Sequence, residues 1–173
     1  YPYMLLSLTI SNEVQPNEPY WNRLVELFSE NDIHQVLENA EVKHHCQNVV
    51  SQNDRYVDFL REHTRLNQHV SITDFRPSDN PPGGNRFLVY SLFPESAVNV
   101  RIRYEDPSND MVVVNVGRSI FNPKCNVNVG LMLTQLDGGG HRGAGSTRLS
   151  AGEADEAIQQ IIDCLVKNEN NER

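Results

Sequence analysis

The sequence predicts an α/β (α+β) protein: a helical N-terminal linker followed by a mixed β-sheet flanked by helices. Three observations carry this expectation. Apolar positions recur with helical spacing through the first third of the 173 residues. Between Val70 and Val116 they alternate, or run in short apolar blocks bounded by turn residues. Two amphipathic segments follow, one closed by a glycine run and the other opened by Ser150.

Residues 1 to about 18 show no clear period, and Asn17-Glu18-Pro19 marks the first helix start. Trp21, Leu24, Val25 and Phe28 then form an i, i+3, i+4, i+7 stripe to about Asn31. Asp32 is placed to cap a short helix with Ile33, Val36 and Leu37 inward. A longer helix runs from Glu41 to about Arg65, with Val42, Cys46, Val49, Val50, Tyr56, Val57 and Leu60 mainly on one side. Val70 to Phe75, Phe87 to Phe93, Val98 to Tyr104 and Met111 to Val116 read as strands, the last two joined as an antiparallel hairpin by Asp106–Asp110. Asn126 can cap a helix that ends at the glycine run, and a short strand spans Ser146 to Leu149. Ser150 with Glu153 forms a capping box for a last helix carrying Ile158, Ile161, Ile162 and Leu165, before a polar, frayed tail. The predicted division is a helical region over 1–68 and a sheet domain over 69–173.

At 38% hydrophobic and 22% charged, the chain has the composition of a globular protein. Its longest apolar run, Tyr3 to Leu8, is far below the roughly 20 residues that span a bilayer. Three widely spaced cysteines, Cys46, Cys125 and Cys164, make no disulfide framework, so the expected location is the cytoplasm. The opening Tyr-Pro-Tyr-Met-Leu-Leu reads as a piece cut from a longer protein. A net charge of −8 argues against non-specific duplex binding. Yet Gly117 to Ser150 holds four basic residues and one acid, a local field suited to a small anion.

Five of the ten glycines fall in Gly138-Gly139-Gly140-His141-Arg142-Gly143-Ala144-Gly145. Consecutive glycine N–H groups can form an anion-holding nest, with the following imidazole and guanidinium as donors. Capping of the preceding helix is the competing explanation. Upstream, Arg118, Ser119 and Asn122 offer a second donor set at a strand end. The candidate phosphate site is therefore Arg118, Ser119, Asn122, Gly138, Gly139, Gly140, His141 and Arg142. His34, His44, His45, His63 and His69 lack metal-ligand spacing, and Cys125 beside Lys124 lacks an identified base.

Gly138 to Gly145, preceded by Gly117-Arg118-Ser119, resembles the C-terminal DHH-associated domain of the DHH phosphoesterases. The resemblance covers about residues 70 to 167, and the whole chain is similar to exopolyphosphatase-related proteins. It implies that residues 1 to 69 end a catalytic domain and its linker. It also implies that Arg118 binds phosphate and that the glycine loop with His141 lines the site. The family's Asp-His-His metal motif does not occur in this sequence. Manganese or another divalent metal is accordingly expected in a missing catalytic domain, and no catalytic residue in this chain. The expected partners are that domain and a small phosphorylated substrate: a short oligonucleotide, cyclic dinucleotide, nucleotide or polyphosphate. Homodimerisation is a further expectation. A nucleotide-sensing or RNA-contacting module is the alternative.

Overall fold

In Val98-Asn99-Val100-Arg101-Ile102-Arg103, every apolar residue is buried and every polar one is half-buried, the alternation of a strand with one dry face. The computed structural model, which describes residues 2–11 and 17–172, builds a mixed sheet around this strand. The elements run α1 (Pro2–Ser11), α2 (Glu18–Glu30), α3 (Ile33–Glu38), α4 (Ala40–His63), β1 (Thr64–Asn67), β2 (Val70–Asp74), α5 (Leu88–Leu92), β3 (Val98–Tyr104), β4 (Met111–Arg118), α6 (Val129–Leu133), β5 (Gly139–His141), β6 (Ala144–Ser150) and α7 (Ala154–Lys167). Among the described residues the sheet order is β1-β2-β3-β4-β6-β5; β2 and β3 are parallel, and every other pair is antiparallel. The predicted α/β class with a mixed sheet and a helical N-terminal region is what the structure shows.

The chain forms two compact units, residues 1–58 with 82–85, and residues 59–81 with 86–173. In the helical unit, Leu6, Tyr20, Leu24, Ile33, Val36, Val42 and Cys46 form a core. Asn17 accepts the Tyr20 N–H at the start of α2, and Asp32 with Gln35 closes a capping box on α3. Two readings are corrected. Residues 2–11, read as aperiodic, form helix α1, while 12–16 lie outside the described residues. The inward stripe of α2 is rotated from the expected one: Tyr20 and Leu24 are buried, whereas Val25 is 71% exposed.

In the sheet unit, Val98, Val100, Ile102, Val112, Val114 and Val116 pack against Ile158, Ile161, Ile162 and Leu165 of α7 and Leu133 of α6 in one core. Burying side chains of this size contributes about 1.5–3 kcal/mol each, so this one layer of helix on sheet dominates the unit's stability. Phe87 to Phe93, expected as a strand, holds helix α5 instead. A seven-residue apolar block does not distinguish the two states. Topology decides, because the parallel β2–β3 pair requires a crossover, and α5 lies in it. The long helix also ends two residues early, at His63, where β1 begins.

Three terminus signals are relocated. Asn128, not Asn126, caps α6, accepting the Leu131 N–H at 3.2 Å. The Ser150 hydroxyl donates to the Glu153 carboxylate at 2.7 Å, but no side chain caps α7, which begins at Ala154. The tail is tied down: the Asn126 N–H donates to Asn168 Oδ1, the Asn128 N–H donates to Asn171 Oδ1, and Asn128 Nδ2 donates to Glu172. Asparagine amides supply both donor and acceptor, which is how a tail with no apolar residue is held.

Candidate functional site

Strand register fixes what the open face of the sheet displays. Residues directly paired across antiparallel strands share a face. Asn99 pairs with Gly117, Gly117 with Ala144, and Ala144 with His141, making one row across β3, β4, β6 and β5. Arg101, Asn115, Ser146 and Gly139 form the next row. Arg103 stands two residues further along β3, opposite Val113. This face is polar because its alternates fill the core on the other side.

A cleft of about 380 Å³ lies on this face, entirely within the sheet unit. Arg86, Arg101, Arg103 and Arg118 line it together with Asn99, Asn115 and Gly143–Gly145, and no carboxylate, histidine or thiol is among its lining residues. Among the described residues none of these four arginines forms an ion pair, whereas Arg76 bonds Asp74 and Asp155, Arg142 bonds Glu172, and Arg148 bonds Glu105. Two of the four touch backbone only: Arg103 donates to the Tyr104 carbonyl at 3.1 Å and Arg118 to the Cys125 carbonyl. Like charges gathered in one cleft repel, so this arrangement is least unfavourable when an anion occupies it. The Tyr90 hydroxyl donates to the Gly117 carbonyl at 2.6 Å, and burial pushes its phenol up to about 12. Tyr90, itself a lining residue of the cleft, therefore serves as a neutral anchor for Gly117.

The predicted site residues are divided by the fold. Arg118 lines the cleft beside Gly143, whose carbonyl accepts the Arg118 N–H at 2.8 Å. Ser119 and Asn122 do not line it. The Ser119 hydroxyl accepts the N–H groups of Phe121 and Asn122, and the Asn122 amide donates to the Glu95 carbonyl, so both hold the loop after β4. The Gly138 N–H is bonded to Leu133, and Gly139 and Gly140 lie in strand β5 rather than in a free nest. Gly140 has φ +152, and a Cβ there would sit 2.3 Å from the Ala144 carbonyl oxygen. A Cβ on Gly130 of α6 would in turn meet the Gly140 carbonyl at 2.6 Å. Close approach of α6 to the β5–β6 hairpin thus accounts for much of the glycine run. His141 is exposed at the end of the Asn99 row, outside the cleft lining, and Arg142 turns to Glu172.

Arg86, Arg101, Arg103, Asn99 and Asn115 were missed by the sequence reading. For Asn99, Arg101 and Arg103 the signal was the polar half of the β3 alternation; Asn115 interrupts the apolar run of β4, and Arg86, in the segment before α5, carried none. Cys125 is fully buried, and burial pushes its thiol up, consistent with a packing role. His69 bonds the Leu165 carbonyl, His45 stacks on Tyr20, and His63 stacks on Phe59. The described residues do not fit a divalent metal, since no group of three or more His, Cys, Asp or Glu converges among them. A second cavity of about 450 Å³ in the helical unit is lined by Leu5, Leu37, Cys46 and Val50 with Lys43 and Asp54, and gathers no anion-binding set. No helix among the described residues is long and apolar enough to cross a membrane.

The chain shares the fold of DHH-family phosphoesterases. It superposes on the pGpG-specific phosphodiesterase PggH of Vibrio cholerae with a TM-score of 0.83 and 20% identity, covering 94% of this chain and 55% of that one. An exopolyphosphatase-related protein of Bacteroides fragilis matches with a TM-score of 0.50 and 10% identity over 76% of this chain and 45% of its own. CDC45 of Entamoeba histolytica matches with a TM-score of 0.53 and 11% identity over 93% of this chain and 36% of its own. The chain thus spans about half the length of the phosphodiesterase it matches. At these identities the likeness establishes a fold, which different functions can share. No protein-family model matches the sequence, and no curated protein matches it.

Proposed function

We propose that this chain is the substrate-binding portion of a DHH-type phosphoesterase and that its arginine-lined cleft holds the substrate's phosphates. The observation that carries this is a single cleft lined by four arginines without a carboxylate among its lining residues. Hydrogen bonds from guanidinium to phosphate are charge-assisted and often bidentate. A cleft of about 380 Å³ suits a mononucleotide or a short dinucleotide better than a duplex. The fold shared with a protein named for pGpG favours that substrate class over polyphosphate. Hydrolysis is assigned to a metal-binding domain that acts together with this one, because the residues described here offer no ligand cluster.

Calorimetric titration of pGpG and pyrophosphate into the purified chain at low salt tests this reading. Arg103→Gln removes a charged donor and should weaken binding about 10- to 150-fold, from roughly 1.5–3 kcal/mol for hydrogen bonds to charged groups. Unchanged affinity in this variant would rule out the cleft. Manganese-dependent hydrolysis of pGpG by the chain alone, persisting after removal of contaminating nucleases, would overturn the division of labour. RNA binding with a steep salt slope would favour the RNA-contacting alternative.

A further inference from the structure

The Arg101 guanidinium stands over the Phe75 ring, 4.3 Å from its centroid. Phe75 is 3% exposed and stacks on Phe59 with ring centroids 4.9 Å apart, so the aromatic support is fixed. Arg101 Nε is buried without a hydrogen-bond partner. The side-on fork that pairs Nε with an Nη on one phosphate is therefore closed to this residue. Arg101 also lines the cleft, and with one face on Phe75 and Nε buried, what it has left to offer a ligand is its second face and terminal nitrogens. Arginine planes serve as stacking surfaces for unpaired bases, with the charge and the flat π-system both contributing.

We propose that Arg101 is the floor of a nucleobase subsite, resting on Phe75 on one side and stacking a base on the other, so that the ligand class is a nucleotide rather than inorganic polyphosphate. This rests on the reading of the cleft as a phosphate site. Asn115, paired with Arg101 across the β3–β4 ladder, presents a donor and an acceptor beside the stack, the combination that reads a base edge. Arg103, two residues along the strand and hence about 6.8 Å away at the usual antiparallel rise, is placed to take the phosphate of the same nucleotide.

The test compares guanosine 5′-monophosphate with ribose 5-phosphate, which differ only by the base. Calorimetry on the full chain should give about fivefold or greater preference for the nucleotide, the lower end of base stacking on a side chain. Arg101→Lys keeps the charge and loses the plane. It should erase the preference, lowering the affinity for guanosine 5′-monophosphate by more than that for ribose 5-phosphate. Arg101→Gln, with thermal melts on all proteins, serves if the lysine variant does not fold. Equal affinity of the wild type for the two probes, or an equal loss of both in Arg101→Lys, overturns the base subsite while leaving the phosphate site standing. Failure of the wild type to bind either overturns both.

Discussion

The two faces of the sheet are made from alternate residues of the same strands and have opposite chemistry. On one, Val98, Val100, Ile102, Val112, Val114 and Val116 are sealed by α6 and α7. On the other, Asn99, Arg101, Arg103 and Asn115 line a cleft. The covered face can be disturbed only at the expense of the fold, whereas the open face can change without loss of the core. Stability and binding should therefore separate by face, except at Arg118 and Tyr90, cleft residues that also bond the Cys125 and Gly117 carbonyls.

The largest expected effect follows from that separation. Ile162→Ala deletes a fully buried α7 side chain and should lower unfolding free energy by about 2–5 kcal/mol, with the anion affinity of the protein that remains folded nearly unchanged. Arg103→Gln should do the reverse, moving stability by less than about 0.5 kcal/mol while weakening pGpG binding. Denaturant melts paired with titrations check both. A cleft variant that melts as early as the core variant would break the comparison.

A smaller contrast lies within the glycine run. Gly140→Ala forces a Cβ onto a positive-φ position 2.3 Å from the Ala144 carbonyl oxygen, and should cost about 1–3 kcal/mol in a thermal melt. Gly139→Ala meets nothing within 4 Å and should shift the melt little. Equal effects at the two positions would mean that close packing does not explain the run.

Much of this fold could be read from spacing, and the failures have identifiable causes. Ile158, Ile161, Ile162 and Leu165 emerged as the inward side of α7 because helical periodicity is local information. The strand expected over Phe87–Phe93 failed because a short apolar block is ambiguous until the parallel β2–β3 pairing demands a crossover. The site was less legible. Arg101 and Arg103 stand in plain alternation with buried valine and isoleucine, but their meeting with Arg86 and Arg118 depends on folding distant segments into one cleft. The glycine run drew notice for a possible nest, yet three of its five glycines lie in strands. Arg118 stands between the two faces in another sense: it lines the cleft and also bonds the Cys125 carbonyl, so Arg118→Lys should weaken binding and stability together.

The smallest effect concerns Tyr90, which lines the cleft and is 5% exposed. Its hydroxyl donates to the Gly117 carbonyl, and Tyr90→Phe should cost about 0.5–1.5 kcal/mol near neutral pH through that lost bond. The alkaline side carries the sharper signature. Burial raises the folded-state value from the ordinary 10 to about 12, because the phenolate is poorly solvated there. A group raised on folding contributes its full stability below the unfolded value and loses it as pH climbs through the folded one. Between pH 10 and 12 the unfolded wild type therefore releases a proton that the folded protein retains, and unfolding becomes easier. Tyr90→Phe has no such proton, so the stability gap between the two proteins should narrow across that window and can reverse at its top. Denaturant melts at pH 8 and at steps from pH 10 upward measure the gap. Absorbance at 295 nm should show one phenol titrating near 12 in the folded wild type and absent from the variant. A gap that stays constant across the window would show that Tyr90 ionises as freely in the fold as outside it.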